Sequence, residues 1–253
     1  ILAGAEEVYA LQPDGSDFFD GDIDIRTLGP LSNTGGFGFW NAPAVGDVEP
    51  DGTPDVAAVS WPTNLYLWNN KGQIKPGFPK NLNFQGLIDP NPLGSVTMGD
   101  VDGDGNLELF VQCARAIFGF HHDGTEILDG DANPATIGVL RMTATAYSYA
   151  TPALADLTGD GNPELICGMR DGKLYVINPI TGADLPGFPY TAGGNITASP
   201  AVADIDNDGQ PDIVIAASTS TSIQMQVIKS NGTAVAGWPQ GVQMNEDFDS
   251  SPA

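Results

Sequence analysis

Short apolar runs recur along the chain, each broken by Gly, Pro, Asn or Asp, and no long run keeps a helical period. Four runs are apolar at nearly every position: VAAV (56–59), LFV (109–111), LICG (165–168) and IVIAA (213–217). Such runs predict strands covered by neighbours on both faces. A second strand follows each of them, in NLYLWN (64–69), AIFGFH (116–121), KLYVIN (173–178) and SIQMQVI (222–228). In the last of these Ile223, Met225 and Val227 alternate with Gln224 and Gln226, which predicts a strand nearer the rim. A short apolar segment precedes each all-apolar run. It contains Pro43, Pro152 or Pro200 in APAV, TPAL and SPAV, with Val96 in the remaining copy. A glycine turn comes after the second strand, at Gly72, Gly124, Gly182 and Gly232. Three copies then carry Gly77-Phe78-Pro79, Gly187-Phe188-Pro189 and Gly237-Trp238-Pro239.

The pattern is an internal repeat of about four short strands. Its most polar part is an acidic loop between the first and second strands: GDVEPDGTPD (46–55), GDVDGDGNLE (99–108), ADLTGDGNPE (155–164) and ADIDNDGQPD (203–212). The leading aspartates Asp47, Asp100, Asp156 and Asp204 stand 53, 56 and 48 residues apart. Units of that length, each too small to bury its own faces, predict an all-β propeller of four-stranded blades. A β-helix needs shorter rungs, and immunoglobulin-like sandwiches need about 100 residues each. The units read as a partial blade at 1–40, blades at 41–92, 93–148, 149–196 and 197–248, and the start of another at 249–253. Residues 1–18 resemble the back half of a unit, and Asp249-Ser250-Ser251-Pro252-Ala253 resembles the first residues of the next. The chain opens on Ile1 with no visible signal peptide, so it is expected to be a mature, processed or partial piece.

The loop register is D-x-D-x-D-G-x-x-[DE], and its spacing suits a hard cation. Alternate residues supply carboxylates from positions 1, 3 and 5: Asp47, Glu49 and Asp51; Asp100, Asp102 and Asp104; Asp156, Thr158 and Asp160; Asp204, Asp206 and Asp208. Position 6 is always glycine, which lets the backbone turn round an ion. Position 7 offers a carbonyl, from Thr53, Asn106, Asn162 or Gln210. Position 9 closes the loop with Asp55, Glu108, Glu164 or Asp212. All-oxygen donors with several charges favour Ca²⁺ over zinc or copper, so about four ions are expected. Loop 156–164 has Thr158 in place of one carboxylate, and loop 47–55 carries the longer Glu49 and the stiffer Pro50. These two are expected to bind more weakly.

Composition sharpens this picture. Of 253 residues, 32 are acidic and 9 basic, for a formal charge of −23. Such a balance argues against nucleic acid, where basic patches supply affinity. No stretch is apolar enough for a membrane helix. Cys113 and Cys167 lie within apolar runs and are read as buried free thiols, with a disulfide between them as the alternative.

At these loops the sequence resembles the FG-GAP/VCBS repeat family, the propeller repeats of integrin α-subunits and of many bacterial secreted proteins. SPAVADIDNDGQPDIV and LPGFP are closest to the bacterial branch. The resemblance implies a seven- or eight-bladed propeller with Ca²⁺ loops between the first and second strands of its blades. It implies export, to the extracellular space or cell surface, with the periplasm as the alternative. Its members include adhesins, lectin-like modules, lyase scaffolds and surface structural proteins. Four loops and two partial units are fewer than that ring needs, so a fragment of a longer chain is expected. A five-bladed ring with residues 249–253 beside Ile1–Gly4 is the alternative.

Catalytic signals are sparse. His121 and His122 are adjacent near a strand end and point to opposite faces, so a surface role is expected of them. No GxSxG, P-loop or HExxH occurs. DGDID (20–24) and DGDAN (129–133) are incomplete cation loops, and Asn195 and Asn231 head glycosylation sequons. Trp68 and Trp238 occupy repeat positions and are expected to pack, whereas Trp40 and Trp61 lie off the repeat as candidate sugar-stacking platforms. The leading expectation is a non-catalytic, calcium-stabilised module for binding, adhesion or surface assembly. Its partner would be a protein or carbohydrate at a cell surface, or further copies of itself. The alternatives are the propeller portion of a secreted lyase-like enzyme and a structural subunit of an extracellular fibre or surface layer. The nine Lys and Arg residues show no clustering that a uronate site would need.

Overall fold

The computed structural model describes residues 2–4, 7–9, 30–33, 38–39, 41–61, 63–82, 94–130, 132, 137–143 and 150–243. Among them all regular elements are strands, and none is a helix. Strands β1 (Leu2–Gly4), β2 (Glu7–Tyr9) and β3 (Pro30–Asn33) form a three-stranded antiparallel sheet. Three four-stranded meanders follow. The first is β4 (Ala44–Gly46), β5 (Asp55–Ser60), β6 (Asn64–Trp68) and β7 (Lys80–Asn81). The second is β8 (Thr97–Gly99), β9 (Glu108–Cys113), β10 (Ala116–Phe120) and β11 (Val139–Met142). The third is β12 (Ala153–Ala155), β13 (Glu164–Gly168), β14 (Lys173–Ile177) and β15 (Tyr190–Thr191). In the last sheet β16 (Asn195–Ile196) and β17 (Ala201–Ala203) both pair with β18 (Asp212–Ser218), and β19 (Ser222–Lys229) and β20 (Gln240–Gln243) complete it.

The sheets pack side by side through their first strands, β4 against β8, β8 against β12 and β12 against β17. Hydrogen bonds repeat across these seams. The Ser95 N–H donates to Thr151 Oγ1 at 3.1 Å, and the Thr151 N–H donates to Ser199 Oγ at 2.8 Å. The core lies between the sheets, and the two-residue period of a strand decides what enters each seam. Leu109, Val111 and Cys113 of β9 join Ala57, Val59, Leu65 and Leu67 on one side. Phe110, between them, joins Leu165, Cys167 and Tyr175 on the other. Ile166 of β13 in turn packs with Ile213 and Ile215. Each central strand therefore feeds two seams, which is why its sequence is apolar at successive positions.

Strand β19 departs from the expected rim character. Gln226 is buried at 3% exposure, on the same strand face as Ile228. Its amide donates to Ala192 O at 2.7 Å, just past the last strand of the preceding sheet, and accepts from the Tyr190 hydroxyl of that strand at 2.9 Å. A buried glutamine is tolerable here because both ends of its amide are bonded. Gln112 of β9 makes a similar crossing, donating to Gly168 O at 3.0 Å.

A glycine turn follows the third strand in four sheets, one residue longer at Gly182 than in the other three. Gly72, Gly124, Gly182 and Gly232 each donate an N–H to the carbonyl of the residue that follows or ends the strand: Asn69, His121, Asn178 and Lys229. The Gly-Phe-Pro turns lock onto these glycine turns in the next sheet. A Cβ on Gly77 would sit 1.9 Å from the Asp123 carbonyl oxygen, and one on Gly187 would sit 2.1 Å from that of Asn231. The bonds Phe78-Pro79, Phe188-Pro189 and Trp238-Pro239 are all cis. The sheet that lacks the motif uses Arg141 instead, bonded to Gly182 O at 2.7 Å and to Asp184 Oδ2 at 3.1 Å. Trp68 is fully buried and stacks on Tyr66 with ring centroids 5.1 Å apart, as its repeat position predicts. Cys113 and Cys167 are buried free thiols, also as expected. Trp40, DGDID at 20–24, Asp131 and Asn133 of DGDAN and residues 249–253 lie outside the described residues, as does any test of ring closure through them.

Candidate metal loops between the first and second strands

All four acidic loops leave a short first strand and enter a central one, at one end of the stack. Neighbouring loops touch there: the Leu107 N–H donates to Val48 O at 2.9 Å. In each loop the leading aspartate organises the backbone. Asp47, Asp100, Asp156 and Asp204 accept the N–H of the position-6 glycine through Oδ2, at 2.9, 3.0, 2.8 and 3.0 Å. Those glycines, Gly52, Gly105, Gly161 and Gly209, have φ of 84°, 91°, 92° and 86°. The position-5 aspartates accept the N–H of position 7: Asp51 from Thr53, Asp104 from Asn106, Asp160 from Asn162 and Asp208 from Gln210. The Asn106 N–H holds the Asp104 carboxyl below the usual carboxylate range, and the Thr53 hydroxyl, with the Thr53 N–H, does the same for Asp51.

The closing acids are different. Asp55, Glu108, Glu164 and Asp212 begin the central strands and are buried, at 3%, 0%, 2% and 1% exposure. In three loops this acid accepts the N–H of position 2: Val101 to Glu108 at 3.0 Å, Leu157 to Glu164 at 2.8 Å and Ile205 to Asp212 at 3.0 Å. Burial pushes the Glu108 and Glu164 carboxyls above their ordinary value, and the charges of Asp102, and of Asp160 and Asp156, push the same way. A buried carboxylate facing further carboxylates is unfavourable unless a cation joins them.

Three groups of donors converge. Asp100, Asp102 and Asp104 place oxygens within 4.8 Å of one another, as do Asp204, Asp206 and Asp212. Asp102, Glu108 and His121 form the third group, with His121 Nδ1 3.3 Å from Glu108 Oε1. Loops 100–108 and 204–212 thus fit a hard divalent cation by donor type and proximity. Loop 156–164 keeps Asp156, Asp160 and Glu164, and Thr158 Oγ1 lies 3.5 Å from Asp156 Oδ1 and 3.4 Å from Glu164 Oε1. Loop 47–55 does not fit in the same way. Lys75 Nζ sits 2.9 Å from both Glu49 Oε2 and Asp55 Oδ2. Lys229 also touches a loop, with Nζ 2.5 Å from Asp206 Oδ2 and from Asp208 Oδ2.

Sequence reasoning missed these three side chains. His121 and Lys229 share one repeat position, at the end of the third strand and ahead of the same glycine turn. The polar residues Asn69, His121, Asn178 and Lys229 at that position were the available signal. Trp61 is exposed at the β5–β6 turn, where its N–H donates to Gly38 O at 2.8 Å.

The FG-GAP-like repeat model matches residues 47–111 and 156–215, and the FG-GAP repeat model matches 197–236. The chain belongs to the FG-GAP repeat family. The matched segments contain all four acidic loops. No curated protein matches the sequence. Among solved structures, the biofilm matrix protein Bap1 of V. cholerae is similar, with a TM-score of 0.53 and 21% identity over 80% of this chain and 28% of that one. The C-terminal domain of Pseudomonas aeruginosa PilY1 matches with a TM-score of 0.55 and 13% identity, covering 91% of this chain and 58% of that one. BBS1N, solved in complex with ARL6DN, matches with a TM-score of 0.50 and 14% identity over 82% of this chain and 54% of that one. The chain therefore spans less than two thirds of each of these structures. At such identities the likeness is one of fold, and it agrees with the propeller-like arrangement of the sheets. No helix among the described residues is long and apolar enough to cross a membrane.

Proposed function

We propose that this FG-GAP repeat chain is a calcium-stabilised propeller, or part of one, that acts outside the cell as a non-catalytic module for binding, adhesion or surface assembly. One observation carries the reading: each acidic loop buries its closing carboxylate, and in loops 100–108 and 204–212 further carboxylates converge on the same space. A hard cation there neutralises like charges that the fold has already brought together. The ligands are Asp100, Asp102, Asp104 and Glu108 in one loop and Asp204, Asp206, Asp208 and Asp212 in another. Asp156, Thr158, Asp160 and Glu164 form a weaker third site. When bound, the ion ties the end of a first strand to the start of a central strand.

Extracellular calcium fills sites of modest affinity, which supports export, and the likeness to a biofilm matrix protein points the same way. The partner on this reading is a surface protein or carbohydrate, or another copy of the chain. Among the described residues, three acids outside the loops have structural work: Asp123 caps the turn at Thr125, Asp171 accepts the Tyr175 hydroxyl at 2.7 Å, and Asp184 pairs with Arg141. This supports a non-catalytic role. The test is thermal unfolding in millimolar calcium and in excess EGTA. An ion that binds only the folded state adds about 2.7 kcal/mol at a hundredfold excess over its dissociation constant. A melting curve indifferent to EGTA would remove the calcium claim, and turnover of a polysaccharide by this chain would remove the non-catalytic one.

A further inference from the structure

Loop 47–55 carries the FG-GAP register but differs from its three counterparts at two independent places. The first is its backbone. Position 4 has a left-handed φ in the other loops: 77° at Gly103, 76° at Gly159 and 58° at Asn207. In loop 47–55 that position is Pro50, whose ring confines φ to about −65°. The chain cannot follow the same path between the second and third carboxylates, Glu49 and Asp51.

The second is Lys75. The backbone fixes its place in the repeat. Its N–H donates to Leu67 O at 2.9 Å, as Ile127 donates to Gly119 O, Leu185 to Val176 O and Val235 to Val227 O. Three sheets thus put an apolar side chain at this position, with Leu185 and Val235 at 8% and 5% exposure. The sheet of loop 47–55 puts a lysine there. Its side chain is 11% exposed and ends on the buried closing acid Asp55 and on Glu49, at 2.9 Å from each. Burial opposes the Lys75 charge, but the bonds to Asp55 and Glu49 outweigh it and raise its pKa above the ordinary lysine value. Lys229 is not a parallel case. It reaches loop 204–212 from the end of its strand and pairs with Asp206 and Asp208, leaving the closing Asp212 to the Ile205 N–H.

We infer that Lys75 supplies the cation of loop 47–55, so that this loop is closed by an ammonium group from its own sheet and binds no calcium. The inference rests on the calcium reading of the other loops. It makes one blade's geometry independent of calcium, while its neighbours tighten only when calcium is present.

Native mass spectrometry of the chain at graded calcium tests both levels. Asp212→Asn is the control for the calcium reading and lowers the maximum number of bound ions by one. If no ion binds, or if Asp212→Asn leaves the number unchanged, the calcium reading itself fails. Asp55→Asn and, separately, Glu49→Gln leave the number unchanged on the present inference. Loss of one ion in either variant, with the Asp212→Asn control behaving, overturns the inference alone. The double variant Pro50→Gly/Lys75→Leu restores the counterpart residues and gains one ion. An unchanged number in that folded double variant would show that Lys75 and Pro50 are not what excludes the ion, and would likewise overturn it.

Discussion

Gly187 and Gly237 offer a matched pair for measuring what one seam between sheets is worth. Both open a Gly-aromatic-Pro turn, and both have φ of 90°. Alanine at either position incurs the left-handed backbone penalty, about 1–2 kcal/mol. The surroundings then diverge. At Gly187 the new methyl would lie 2.1 Å from Asn231 O and 2.8 Å from Asn231 C, in the glycine turn of the next sheet. At Gly237 nothing among the described residues lies within 4 Å. Backbone atoms cannot step aside as a side-chain tip can, so Gly187→Ala must part the two sheets locally. Overpacking of that kind adds about 1–3 kcal/mol. The expected total is about 2–5 kcal/mol for Gly187→Ala against about 1–2 kcal/mol for Gly237→Ala. The assay is urea unfolding in saturating calcium, followed by circular dichroism, with melting temperature as a second readout. In a protein of this size each kcal/mol moves the melting temperature by about 2–4 °C. Equal destabilisation by the two substitutions would refute the claim that the turn-on-turn contact holds neighbouring sheets together.

Other consequences follow from single contacts. Gln226→Leu removes two bonds between sheets and leaves the buried Ala192 carbonyl without that donor, so a loss of about 1–3 kcal/mol is expected in the same urea assay. Lys229→Met frees Asp206 and Asp208, and calcium should bind more tightly in isothermal titration; weaker binding would mean that the lysine helps to shape the loop. Asp100→Asn should lower the melting temperature in calcium and change it little in EGTA, and an equal drop in both buffers would make that aspartate a purely structural cap. Burial pushes the Cys113 thiol up to about 12 and the Cys167 thiol higher still, so neither should react with a thiol reagent near neutral pH until the chain unfolds.

The repeat was legible in the sequence because the structure uses it twice. A central strand that feeds two seams must be apolar on both faces, so VAAV, LFV, LICG and IVIAA are visible without a partner. The acidic loops are equally local: nine residues contain their own donors, glycine turn and closing acid. What stayed hidden depends on side chains that cross from one strand or sheet to another. Gln226 looked outward by alternation, yet the carbonyl and hydroxyl that make its burial tolerable belong to residues 192 and 190, at the end of another sheet's last strand. Lys75 lies 20 residues beyond Asp55, and nothing within the loop announces it. Its signal was in the columns of the repeat rather than in any one copy, where a lysine stands at the position of Ile127, Leu185 and Val235. Local pattern therefore names the residues able to hold an ion, whereas the cation that holds them also depends on which side chain the neighbouring strand delivers. A register match supplies the anionic half of such a site, and loop 47–55 shows that the cationic half can be covalently part of the chain.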